Sequence, residues 1–203
     1  MNCIVTKITD WLTKEGVISE SEYELYQYAI ICLFSICTPL FFSIIIGFIL
    51  GCIVESILLI LPFIFIRKFA GGYHAKNSKV CLVASFLIIG IFISLGCEIK
   101  SITIVNFIVG IATLGLIILS PVDSVNRRLI REEKWMCKKL TVFMLVVFWI
   151  IAELLSVCNY EEYAKYILLG IILTFVLQIP VVGQKIYCKL YALYVKNKYA
   201  DQK

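Results

Sequence analysis

The sequence predicts an all-α polytopic membrane protein with six transmembrane helices, an N-terminal amphipathic helix in the membrane interface and both termini in the cytoplasm. Three observations carry this expectation. The chain is 61% hydrophobic, with a mean hydropathy of +0.95, and only 16% of its residues are charged, against roughly 25% in a soluble domain. Its apolar residues fall into six runs, at 28–49, 50–66, 80–97, 102–120, 140–158 and 163–183, each close to the roughly 17–25 residues that cross a bilayer. Lys and Arg gather at the termini and in 67–79, 121–140 and 184–203, so that all 19 except Lys100 and Lys165 fall on one side of a six-span chain. Basic connections stay in the cytoplasm.

Each element has a local reason. Residues 3–15 place Ile4, Val5, Ile8, Trp11 and Leu12 on one helical face and Lys7, Asp10 and Lys14 on the other, the pattern of a helix lying in the interface. Gly16 is expected to end it. Ser19-Glu20-Ser21-Glu22 has capping-box spacing and is expected to start a helix that carries Tyr23, Tyr26 and Tyr28 through the headgroup layer. The first apolar run follows an acidic flank, unlike a cleavable signal peptide. The first two runs meet near Gly51 in an expected tight hairpin. Gly47 and Gly51 form G-x-x-x-G, which serves either close helix packing or the hairpin tip. Because no water reaches the bilayer core, each run must satisfy its own backbone, so helices follow. Gln178-Ile179-Pro180 is expected to end the last span, with Pro180 kinking it. Beyond it, Lys185, Tyr187, Lys189, Tyr191, Tyr194 and Lys196 suit a final interfacial helix. No repeat or linker divides the chain, so residues 1–203 are expected to form one membrane-embedded domain.

Several chemistries are excluded. The nine cysteines form no C-x-x-C pair and fall mostly in apolar runs or on the predicted cytoplasmic side, where thiols stay reduced, so no disulfide framework is expected. With one histidine there is no H-E-x-x-H zinc motif, and G-x-S-x-G is absent. No metal or other cofactor is expected. The basic residues are juxtamembrane and no folded domain carries them, which argues against nucleic acid as a partner. The lipid bilayer is the expected surrounding.

The chemically informative segment runs from Arg67 to Cys81: Arg67-Lys68-Phe69-Ala70-Gly71-Gly72-Tyr73-His74-Ala75-Lys76-Asn77-Ser78-Lys79-Val80-Cys81. His74 is the lone histidine, and Cys81 opens the third apolar run. An imidazole takes a proton from a thiol near neutral pH, and the thiolate is the nucleophile. With Asn77 or Ser78 as N-cap, Cys81 sits in the first helical turn, where the helix dipole together with Lys76 and Lys79 favours thiolate. A continuous helix would hold the two Cα atoms about 10 Å apart, so the pair requires a loop that folds back, and Gly71-Gly72 makes one inexpensive. The same glycines allow a peptide backbone to approach closely. The alternative is a cytoplasmic loop whose cysteine is only the first buried residue of a helix.

This segment resembles the signature of the accessory gene regulator B family. Ser120-Pro121-Val122-Asp123-Ser124-Val125-Asn126 is similar to a second family segment in the next cytoplasmic loop, and length, six spans and amphipathic start agree. The resemblance implies a membrane cysteine endopeptidase of a Gram-positive bacterium that processes a quorum-sensing autoinducer propeptide. It maps the family's histidine and cysteine onto His74 and Cys81. Cys81 thiolate would attack a peptide carbonyl, the acidic tail would leave, and a nucleophile within the bound peptide would close a thiolactone or lactone on the Cys81 thioester, with His74 as base and then acid. The resemblance also points to a homodimer in the cell membrane, its site at the cytoplasmic face.

Other residues carry weaker expectations. Asp123 and Asn77 are candidates to orient His74, Asp123 being equally suited to a cap or turn. Arg67, Lys68, Arg127 and Arg128, together with Gly71 and Gly72, are candidates to hold the propeptide, Arg being suited to bidentate carboxylate binding; simple anchoring to anionic lipid explains the same charges. Glu55 and Glu153 lie near the predicted outer ends of their spans, where interfacial placement accounts for them. A non-enzymatic transporter or scaffold of the same topology is the alternative function.

Overall fold

The computed structural model describes residues 2–71, 78–99, 101–122 and 130–200, with side chains from residue 4 onward except at 78–82, 181 and 184–200. Among the described residues every regular element is helical: α1 (Asn2–Lys14), a 3-10 turn (Glu20–Glu22), α2 (Tyr23–Leu50), α3 (Ile53–Ala70), α4 (Ser78–Glu98), α5 (Ile102–Leu119), α6 (Arg131–Val157) and α7 (Glu161–Ala200). Each of the six apolar runs lies largely within its own helix, α2 to α7. Four described segments, Glu20–Leu50, Ile102–Leu119, Arg131–Val157 and Glu161–Pro180, are long and apolar enough to cross a membrane. α3 carries Glu55, Arg67 and Lys68, and the stretch of α4 from Val83 to Glu98 is a shorter apolar helix. The outward faces are apolar too: Phe48, Phe107, Ile118 and Val157 are among the most exposed side chains. Such surface suits lipid and not water.

The predicted start and first turn are present. α1 packs on α2, burying Val5 and Thr9 and leaving Ile4 and Trp11 of the predicted apolar face exposed. Tyr23 donates its hydroxyl to Asp10 at 2.7 Å, tying the two helices, and Gly16 takes φ 70° after the last turn of α1. The Ser19 N–H donates to the Glu22 carboxylate at 3.1 Å, the reciprocal arm of a capping box. At the hairpin the two glycines divide their work. Gly51 adopts φ 73° and closes α2, while a side chain at Gly47 would collide with Ser56 of α3. Beside it Ser43 donates to the Ser56 carbonyl at 2.6 Å.

α7 is the central helix. From Ala164 to Thr174 every residue is buried, packed against α3, α5, α6 and α4. Between helices in lipid, attraction comes from van der Waals packing and close backbone approach. Gly170 provides such an approach, because a Cβ there would strike the Leu59 carbonyl and Pro62 of α3. Trp149 of α6 donates to Thr113 of α5 at 3.0 Å.

One expectation is overturned in part. The last apolar span closes at Pro180, as expected, but α7 itself runs on through Pro180 to Ala200, taking in the region expected to form a separate interfacial helix. Proline removes one N–H and crowds the preceding turn, and the helix continues past it into the basic segment beyond Gly183.

Candidate functional site

The site is built where the last turn of α3 meets the end of α5. The C-terminal carbonyls of a helix lack partners within it. Here the Ala70 carbonyl, fully buried, accepts two donors from distant parts of the chain: the Val122 N–H at 3.0 Å and the Gln178 side-chain amide at 3.1 Å. The same Gln178 nitrogen donates to Ser120 Oγ at 3.1 Å. Ser120, Val122 and Gln178 are all buried, and the Ser120–Pro121 peptide is cis. Gly71 follows with φ 78° and ψ 178°, backbone essentially restricted to glycine. A Cβ on it would meet the Val122 carbonyl oxygen at 2.5 Å. The close approach that Gly71 allows is therefore taken up by the protein's own chain.

These contacts join the two segments that sequence reasoning had linked only by pattern. Ala70-Gly71 leads directly into the stretch carrying Gly72, His74 and Asn77, and Ser120-Pro121-Val122 leads into the stretch carrying Asp123, Arg127 and Arg128; those six candidates lie outside the described residues. The backbone of Cys81 is described. α4 begins at Ser78, so Ser78 is the first helical residue and Cys81 is in the opening turn. The first turn of a helix carries the positive end of its dipole and N–H groups without partners inside the helix.

Of the other candidates, Arg67 is half-buried with its guanidinium 5.1 Å from the Phe63 ring centroid, and Lys68 is exposed. The basic face continues on α6. Phe65 of α3 packs on Phe148 of α6, so α6 extends toward Arg131 about 18 Å farther than α3 extends toward Ala70, at 1.5 Å per residue. On that extension Lys139 lies 3.3 Å from the Trp135 ring centroid. A shallow cleft of about 420 Å³ opens there, lined by Trp135, Lys138, Lys139, Val142 and Phe143.

Among the described residues no three His, Cys, Asp or Glu side chains are grouped to hold a metal ion.

Comparison with known proteins gives this arrangement a family. The sequence model for accessory gene regulator B matches residues 5–180, spanning both stitched segments, Cys81 and Gln178. The chain belongs to the accessory gene regulator B family. It is 32% identical over 124 residues to accessory gene regulator protein B of Staphylococcus saprophyticus, a match covering 60% of this chain and 62% of that protein's length. An AgrB-like protein of Clostridium perfringens strain SM101 is 25% identical over 183 residues, 82% of this chain and 84% of the relative. A second from strain 13 is 27% identical over 181 residues, 79% and 83% respectively. No solved structure matches. Family membership ties the chain to accessory gene regulator quorum sensing, and its apolar helices make it a membrane protein.

Sequence reasoning missed Gln178, reading it as a marker of the end of a span. A signal was there: an amide in an apolar run is costly in lipid and marks a specific partner. It noted Lys165 only as lying near the short connection 159–162; the structure buries it in α7, where its ammonium donates to the Ile99 carbonyl at 3.0 Å.

Proposed function

We propose that this protein is a cysteine endopeptidase that cleaves the C-terminal part of an autoinducer propeptide and closes the remaining peptide into a thiolactone or lactone. The family match across the Gly-Gly-Tyr-His…Cys segment carries this reading. The six-span topology, with the site at the cytoplasmic face of a Gram-positive cell membrane and the protein acting as a homodimer, belongs to the same proposal. So does the single membrane domain over 1–203.

The chemistry follows from the residue types. His74 takes the Cys81 thiol proton, and the sulfur attacks the scissile carbonyl. The C–N bond breaks, the leaving amine takes the proton from imidazolium, and the N-terminal fragment remains as a thioester on Cys81. A thiol or hydroxyl within the bound peptide then attacks that thioester, giving its proton to His74 and expelling Cys81. The thioester retains the energy needed to form a second thioester, which hydrolysis would dissipate. A site recessed in the membrane disfavours hydrolysis by limiting water. Asp123 or Asn77 orients His74. Arg67, Lys68, Arg127 and Arg128 hold the acidic tail, with Gly71 and Gly72 shaping the backbone that the peptide passes.

The test is co-expression with a tagged propeptide and mass spectrometry of the product, for wild type, Cys81→Ala, His74→Ala and Cys37→Ala. Wild type and Cys37→Ala are expected to yield a product one water lighter than the linear fragment, and the other two none. Equal processing in all four would remove Cys81 as nucleophile and favour a transporter or scaffold.

A further inference from the structure

Gln178 is fully buried, on the central helix, and far in sequence from both groups it touches. Its amide nitrogen has two hydrogens, and the two acceptors within 3.1 Å, the Ala70 carbonyl and Ser120 Oγ, match that number. These acceptors stand at the last residue of α3 and immediately after α5, one step before Gly71 and one step before Pro121. The Val122 N–H completes the joint on the same Ala70 carbonyl. Gln178 Oε1 is also buried and has no hydrogen-bond partner among the described residues. An amide retained in an apolar helix with its oxygen unsatisfied is costly to keep, and simple filling of that volume by methionine or leucine would avoid the cost. The two donated bonds are therefore what the residue is kept for.

We propose that Gln178 is a positioning residue for peptide processing: from the last span it fixes the relative register of the two cytoplasmic-loop segments that begin at Gly71 and Pro121. It touches no reacting atom. It acts by holding the start of the Gly-Gly-Tyr-His segment against the start of the Pro-Val-Asp segment, so that groups carried by the two are presented together. This rests on the endopeptidase reading for its catalytic consequence, while the stitch itself rests on the hydrogen bonds alone. Misplacement by about 1 Å costs on the order of a hundredfold in rate, so losing both donors is expected to reduce turnover far more than peptide binding.

The experiment uses the full-length protein in lipid nanodiscs with a synthetic propeptide, comparing wild type, Gln178→Met, Gln178→Glu and Thr174→Val. Thr174 is a buried polar residue one turn away whose hydroxyl donates within α7, to the Gly170 carbonyl, so its variant controls for loss of a buried polar group. Rates are taken per folded molecule. Gln178→Met is expected to lose at least tenfold in cleavage rate with peptide affinity within about threefold, and Thr174→Val to match wild type. Gln178→Glu, whose buried carboxyl stays protonated at low pH and then keeps one O–H donor, is expected to approach wild type as pH falls and to lose ground as it rises. Hydrogen–deuterium exchange on the same samples is expected to quicken at Val122 and Gly71 in Gln178→Met and to stay unchanged in the α1–α2 region. A wild-type rate per folded molecule in Gln178→Met, or unchanged exchange at Val122, would overturn the proposal. Absence of cleavage by wild type itself would instead sink the endopeptidase reading, and the exchange result would still decide the stitch.

Discussion

The two ends of the buried stretch of α7, at Lys165 and at Gln178, solve a similar problem by different means. At one end Lys165 reaches the Ile99 carbonyl at 3.0 Å, pairs with Glu162 at 3.6 Å, and stands beside Tyr166, whose hydroxyl lies 3.3 Å from Cys97 Sγ. At the other end a neutral amide, Gln178, donates to Ala70 and Ser120 in full burial. The first end fastens one segment, the connection after α4, to the bundle. It uses a charge whose partner Glu162 is 71% exposed, and a cation near the membrane surface is inexpensive to keep there. The second end fastens two segments to each other inside the protein, where an unpaired charge would be costly. A connection that only has to return the chain is held from one side. A pair of connections that must present groups jointly is held through a shared partner.

Breaking the second end has the larger expected effect. Gly71→Ala imposes a side chain on a backbone conformation that costs a non-glycine residue about 1–3 kcal/mol, and its Cβ also meets the Val122 carbonyl. The joint cannot keep its geometry, so the variant is expected to lose most processing activity even where folded protein is recovered. Measuring cleavage against the folded amount checks this. Activity within twofold of wild type would show that the joint is dispensable.

Breaking the first end sharpens the contrast. Lys165→Met removes the donor to the half-buried Ile99 carbonyl, at a cost of about 1 kcal/mol. Lower thermal stability is expected, with the cleavage rate per folded molecule unchanged. If the rate fell as much as in Gly71→Ala, the two ends would not differ in function, and the comparison would fail.

Much of this was legible in the sequence. The six apolar runs each became a helix because lipid leaves the backbone no alternative. Gly51 at the hairpin and Ser19 with Glu22 at the start of α2 were readable because turn and cap chemistry is local. What was not legible depends on which helix faces which. Hydropathy does not separate a lipid-facing leucine from one packed on another helix, so nothing in the six runs singled out α7 as central or Lys165 as buried. Pro180 was readable as the close of the last apolar span, but not that the same helix carries on to Ala200. Gln178 pairs with residues 108 and 58 positions away in sequence, a range that local patterns do not reach. The resemblance in the segment from Arg67 to Cys81 pointed to the family, and the family match over 5–180 bears it out.

The most direct test of the account traps its intermediate. Purified protein would be incubated with a propeptide whose internal cysteine or serine nucleophile is replaced by alanine, so that cleavage proceeds but cyclisation does not. Intact-mass spectrometry, followed by digestion at acidic pH to preserve thioesters, is predicted to find the N-terminal fragment attached to Cys81, with the protein heavier by that fragment less one water. Finding cleavage with the adduct on a different cysteine, or efficient cleavage with no adduct under conditions that preserve a thioester standard, would contradict it.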